Sequence, residues 1–239
     1  MQPLKDKVAY ITGGSKGIGY GTAESLLAQG MRVAISSRSE TRAQEAALRL
    51  DASGERVLAI GSDVRSLDDE KRAVQQLLGR WGQLDVLVAN AGIGKFAPIQ
   101  EMSPEDWHDV IDINLTGVFN SVKAAVPALT TSQGYIMTIA SLAGTNFFAG
   151  GAAYNASKFG LVGFTQAIML DLRHTGIKTT TIMPGSVATY FNDRVPSEAD
   201  AWKIQPEDIG QMVVNLLNMH PRTLPSKIEV RPSMPPKKN

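Results

Sequence analysis

The chain has 239 residues, with 24 Lys and Arg against 23 Asp and Glu, and a formal net charge of +1. That balance supplies no net field to recruit nucleic acid or an anionic membrane surface. With no cysteine at all, disulfides, iron–sulfur clusters and Cys-ligated zinc are excluded. The opening residues lack the apolar stretch of a signal peptide, and nowhere do about 18 apolar residues run together as a membrane helix requires. A cytoplasmic protein is expected. His108, His174 and His220 are too scattered for a local metal motif, so no metal is assigned.

Short apolar runs at 8–11, 32–36, 57–60, 86–89, 135–139, 178–183 and 227–230 read as strands. Between them, 17–29, 41–50, 66–81, 104–129, 152–175 and 206–219 carry helical spacing or start signals such as Ser66 and Ser103-Pro104. Strand and helix alternate throughout. That order predicts an α/β, doubly wound, Rossmann-like domain: a seven-stranded parallel sheet, helices on both faces, and a ligand crevice at the carboxyl ends of the strands. No linker splits the chain, so residues 1–231 read as one domain and the proline-rich 232–239 as an extended tail.

The first strand runs into Thr12-Gly13-Gly14-Ser15-Lys16-Gly17-Ile18-Gly19, which opens a helix. Glycines there allow a tight turn and let backbone N–H groups approach an anion at the helix's positive end, a geometry suited to a pyrophosphate. The second strand ends Ser36-Ser37-Arg38, with no acid to bond a ribose 2′-hydroxyl. Arg38 and Lys16 instead suit a 2′-phosphate, so NADP(H) is expected in preference to NAD(H). Further along, Tyr154 and Lys158 are four residues apart and share a helix face. A phenol with an ordinary pKa of about 10 needs such a cation nearby to serve as an acid/base at neutral pH.

The order Thr12-Gly13-x-x-x-Gly17-x-Gly19 resembles the classical short-chain dehydrogenase/reductase family, and in general appearance its 3-oxoacyl-carrier-protein reductase-like branch. The resemblance continues through Asn90-Ala91-Gly92, Ser141 thirteen residues before Tyr154, and Pro184-Gly185-x-x-x-Thr189. It implies a catalytic tetrad of Asn114, Ser141, Tyr154 and Lys158. Tyr154 would donate the proton, Ser141 would polarise the carbonyl, Lys158 would lower the phenol pKa and bond the nicotinamide ribose, and Asn114 would hold a water. It also implies cofactor contacts from Gly13, Ser15, Lys16, Gly17, Ile18, Gly19, Arg38, Asp63, Val64, Asn90, Ala91, Gly92, Pro184, Gly185, Val187 and Thr189, with Asp63 against adenine. A homo-oligomer, dimer or tetramer, is implied through helices 104–129 and 152–175, where Gly160, Gly163 and Ala167 permit close approach.

The loops over the crevice carry Phe96, Met102, Phe147, Phe148, Tyr190, Phe191 and Trp202. Phe96, Phe147, Tyr190 and Phe191 are the candidates for a substrate pocket, and the cluster favours an apolar carbonyl or alcohol substrate. Two readings follow: an NADPH-dependent carbonyl reductase, and a non-enzymatic NADP(H)-binding regulator or scaffold of the same fold. A serine hydrolase is disfavoured, because Ser141 sits in no G-x-S-x-G elbow.

Overall fold

A computed structural model describes residues 4–234. Strands β1 (Val8–Ile11), β2 (Arg32–Ser37), β3 (Val57–Gly61), β4 (Val86–Ala89), β5 (Tyr135–Ile139), β6 (Lys178–Pro184) and β7 (Lys227–Val230) form one sheet in the order β3-β2-β1-β4-β5-β6-β7. Every neighbouring pair is parallel. The order reverses between β1 and β4, so the loops after these strands diverge and leave a crevice at their carboxyl ends.

Helices α1 (Gly17–Ala28), α2 (Glu40–Leu50) and α7 (Pro206–Leu217) cover one face, and α3 (Leu67–Trp81), α5 (Gly117–Ser132) and α6 (Ala152–Leu172) cover the other. Alternate residues of each strand enter opposite cores, which is why the inner strands are apolar without interruption. Ala9 and Ile11 pack with Leu26 and Val213, whereas Val8 and Tyr10 pack with Leu77 and Val122. Serine caps define several helix starts: Ser39 Oγ accepts from the Arg42 N–H at 3.3 Å and Ser66 Oγ from the Asp69 N–H at 3.2 Å. Helix α1 meets α7 through Gly21, where a Cβ would fall 2.7 Å from the Pro206 carbonyl carbon.

Two departures from the sequence reading matter. The segment 104–129 is not one helix: α4 (Pro104–Ile111) passes into a π-turn at Asp112–Thr116 and then into α5. The wide turn is closed by Gly117 N–H to the Asp112 carbonyl, and Asn114 sits within it. Helix α6 likewise ends at Leu172 and gives way to a 3₁₀ turn at Arg173–Thr175. Of the expected tail at 232–239, residues 235–239 lie outside the described residues.

Beneath β1 and β3, α3 places Glu70 wholly out of solvent. Ser62 Oγ donates to its Oε1 at 2.6 Å, and Tyr10 Oη lies 3.1 Å from the same oxygen and 3.1 Å from Ser36 Oγ. Burial raises the Glu70 pKa above the ordinary carboxyl value, with the surrounding hydroxyls opposing.

Candidate active site

The glycine turn lies between β1 and α1. Gly13 and Gly17 have φ of +65° and +58°, a region that costs other residues energy. Thr12 Oγ1 accepts from the Asn90 and Ala91 N–H groups, both at 3.1 Å, while Asn90 Nδ2 donates to the Thr12 and Gly13 carbonyls at 2.9 and 3.1 Å. The two strand-end loops are thereby locked together. A Cβ at Gly19 would lie 2.6 Å from Asn90 Nδ2, and one at Gly17 would lie 3.3 Å from Thr189 Cγ2. Helix α1 begins with no side-chain cap and no acid in its first turn. Unspent N–H groups, bare glycine backbone and the helix dipole together fit an anionic group such as a pyrophosphate.

Lys16 and Arg38 are exposed on the loops after β1 and β2, and Arg38 forms no ion pair with a described residue. Ser15, Lys16 and Gly17 line a cleft of about 520 Å³ with Tyr20, Arg49 and Tyr190. Tyr190 lies beside Lys16, whose Nζ is 6.0 Å from its ring centroid. Asp63 is engaged by Arg65 at 2.6 Å, which holds its carboxyl below the usual range. Val64 is buried against Gly117, and the Asn120 amide donates to the Val64 carbonyl at 2.9 Å. Beyond β6, Gly185 N–H bonds the Val230 carbonyl at 2.8 Å, Val187 pairs with Ile204, and Thr189 Oγ1 accepts from Phe191 N–H at 3.3 Å. Pro184 ends β6 and is buried.

The four tetrad positions converge. Ser141 leaves β5 as the cap of a 3₁₀ turn, accepting from Ala143 N–H at 3.1 Å. One turn along α6, the Lys158 ammonium lies 5.7 Å from the Tyr154 ring centroid and donates to the Ile139 carbonyl at 3.0 Å. Burial pulls Lys158 down to about 8. Burial pushes the Tyr154 phenol above its ordinary value, with the Ser141 hydroxyl opposing. Among the described residues the ammonium is engaged by a carbonyl and desolvated beside the ring.

Asn114 is fixed within the π-turn. Its Oδ1 accepts from Ile93 N–H at 2.8 Å, and Nδ2 donates to the Ile93 carbonyl at 2.9 Å and to Ser157 Oγ at 3.1 Å. Both amide protons are thus committed within the protein. A Cβ at Gly92 would fall 3.2 Å from Asn114 Oδ1 and 3.7 Å from Lys158 Nζ.

Aromatic rings surround Tyr154. Phe96 meets it at 5.4 Å between centroids and Phe191 at 5.7 Å, while Phe148 meets Phe96 at 5.8 Å. Phe147, expected to line the pocket, is 86% exposed, and its neighbour Phe148 takes that place. Asn155 explains the choice: its Nδ2 donates to the Ala143 and Asn146 carbonyls at 2.8 and 2.9 Å, which pins the loop after Ser141 onto α6. Asn155 and Ser157, both on α6, are site-building residues that sequence reasoning missed. A buried amide or hydroxyl on a helix leaves no spacing signal.

A family model described as short chain dehydrogenase matches residues 7–200. The chain belongs to that family, whose members are oxidoreductases. It is 36% identical over 200 residues to a 3-oxoacyl-[acyl-carrier-protein] reductase of Synechocystis, covering 83% of this chain and 81% of the relative. Among solved structures, an alcohol dehydrogenase of the archaeon Thermococcus sibiricus complexed with 5-hydroxy-NADP has a TM-score of 0.90 at 27% identity, covering 98% of this chain and 100% of its own. A 3-ketoacyl-(acyl-carrier-protein) reductase of Brucella melitensis complexed with NADH has a TM-score of 0.86 at 25% identity, covering 96% and 98%. No helix among the described residues is long and apolar enough to cross a membrane.

Proposed function

We propose that the protein is an NADP(H)-dependent carbonyl reductase, or alcohol dehydrogenase in reverse. The observation that supports this reading is that the Lys158 ammonium lies beside the Tyr154 ring and donates to the Ile139 carbonyl at the end of β5, the strand that Ser141 follows. NADPH, when bound, supplies the hydride to the carbonyl carbon. Gly13 to Gly19 would receive its pyrophosphate, and Thr189 with Val187, Pro184 and Gly185 would border its nicotinamide end. Lys16 and Arg38 are read as partners of a 2′-phosphate, which favours NADP(H) over NAD(H).

In reduction, Tyr154 Oη gives its proton to the carbonyl oxygen as the carbon–oxygen double bond becomes single. Ser141 orients that oxygen by a hydrogen bond. The proton lost by Tyr154 is replaced from solvent past Lys158, whose pKa of about 8 leaves it largely protonated at neutral pH and able to stabilise the transient phenolate. Asn114 acts as a positioning residue, tying the β4 loop to α6 through Ile93 and Ser157.

NADPH and NADH oxidation, followed over a panel of ketones, β-ketoesters, diketones and quinones, tests the reading in wild type and Tyr154→Phe. Wild type should turn over at least one carbonyl, with higher kcat/KM for NADPH. Tyr154→Phe should lose about 10²–10⁴-fold in kcat, the usual worth of a positioned acid, while still quenching on NADPH titration. Equal turnover by the variant would overturn the acid's assignment. NADPH binding with no turnover on any carbonyl would favour the non-enzymatic regulator instead.

A further inference from the structure

The geometry points to an uncharged, ring-bearing ketone or aldehyde as the substrate class, held by Phe96, Phe148 and Phe191 around Tyr154. This inference rests on the carbonyl-reductase reading and sharpens it.

Three features carry it. First, the rings are held in place: a Cβ at Gly94 would lie 2.6 Å from Phe191 and 2.8 Å from Phe96, and a Cβ at Gly151 would lie 2.6 Å from Phe148. Bare backbone at these two positions lets the rings sit directly on the loops beside the phenol. Phe191 is followed by Asn192 at φ +57°, a left-handed residue that turns the chain immediately after the ring that meets Tyr154. Second, Phe96 and Phe148 remain 41% and 48% exposed, so apolar ring surface at the mouth is left for a ligand to cover. Rings at centroid separations of 5.4 to 5.8 Å and interplanar angles of 51° to 65° present both edges and faces to a planar guest.

Third, Lys95, Lys203 and Arg231, on the loops around this mouth, are already matched. Lys95 pairs with Asp106 and Asp109 at 2.6 and 2.8 Å, Arg231 pairs with Glu229 at 3.0 Å, and Lys203 pairs with Asp200. A coenzyme A thioester brings several phosphate charges, and these neutralised side chains would have to abandon their carboxylates to receive them. A neutral ring makes no such demand, and the hydroxyls of Ser141 and Tyr154 suffice for its carbonyl oxygen.

The test compares 1-tetralone and acetophenone with acetoacetyl-CoA as oxidants of NADPH. Wild type should show at least about tenfold higher kcat/KM for the aryl ketones than for the thioester. Phe148→Ala and Phe191→Ala should each raise KM for 1-tetralone about tenfold, the factor equivalent to ~1.4 kcal/mol, with KM for NADPH within about twofold of wild type. Phe148→Leu and Phe191→Leu, which keep apolar bulk without the ring, should fall in between and guard against misfolding, with NADPH titration reporting an intact cofactor site. Preference for acetoacetyl-CoA, or equal losses on both substrate kinds, would overturn this inference and leave the parent reading standing. No turnover on any carbonyl despite NADPH binding would overturn both.

Discussion

Glu70 illustrates how one residue's surroundings set a pH response. Its partners Tyr10 and Ser62 are hydroxyl-bearing, none of the described cations pairs with it, and its Oε2 has no hydrogen bond from a described residue. A carboxyl so placed holds its proton, and the raised pKa fixes the sign of the linkage. The folded form is favoured while the acid is protonated, fully so below the ordinary value of 4.5, and that advantage is lost as pH rises through the folded value. Glu70→Gln removes the ionisation and keeps the shape. Melting curves should therefore give the variant a Tm advantage at pH 8 that shrinks toward pH 5; a difference independent of pH would exclude a titrating Glu70. Ser36 and Ser62 end the strands that lead to Arg38 and Asp63, so the network also braces the loops proposed to meet the adenosine half of the cofactor.

Among the elements, the segment from Ser141 to Phe148 depends on α6 for its shape. Asn155→Ala would leave the Ala143 and Asn146 carbonyls without their amide, at a cost of about 1–3 kcal/mol for buried groups. The expected result is a lower Tm together with a larger rise in KM for the carbonyl substrate than for NADPH. A lower Tm with both KM values unchanged would reduce Asn155 to a stability residue. The sequence revealed the strands, because a sheet covered on both faces forces unbroken apolar runs, and it revealed the Tyr154–Lys158 pair, because i,i+4 spacing survives in any helix. It did not reveal the π-turn: 104–129 is periodic on both sides of Asn114, and a wide turn needs no glycine or proline to mark it. Nor could it separate Phe147 from Phe148, whose facing is decided by loop bonds to Asn155. The direction of the Tyr154 shift was equally hidden, since it depends on how deeply the fold buries the phenol.

For the whole molecule, the outer faces of α5 and α6 carry the exposed Phe119, Phe159 and Leu170, and a Cβ at Gly163 would meet nothing within 4 Å. Apolar surface of this kind, beside a helix that admits close approach, suits the homo-oligomer implied by the resemblance. Sedimentation should give wild type the mass of a dimer or tetramer and Phe159→Asp a smaller one; a monomeric wild type would remove the proposal. The same helices depend on the π-turn at Asp112–Thr116. Deleting one residue there would restore an ordinary α-helical repeat and throw α4 and α5 about 100° out of phase. Asn114 would lose Ile93 and Ser157 if α5 kept its seat, and Phe119 would swing off the outer face if α4 kept its own. A single codon thus governs the alignment of the molecule's interior chemistry with its outer contact surface.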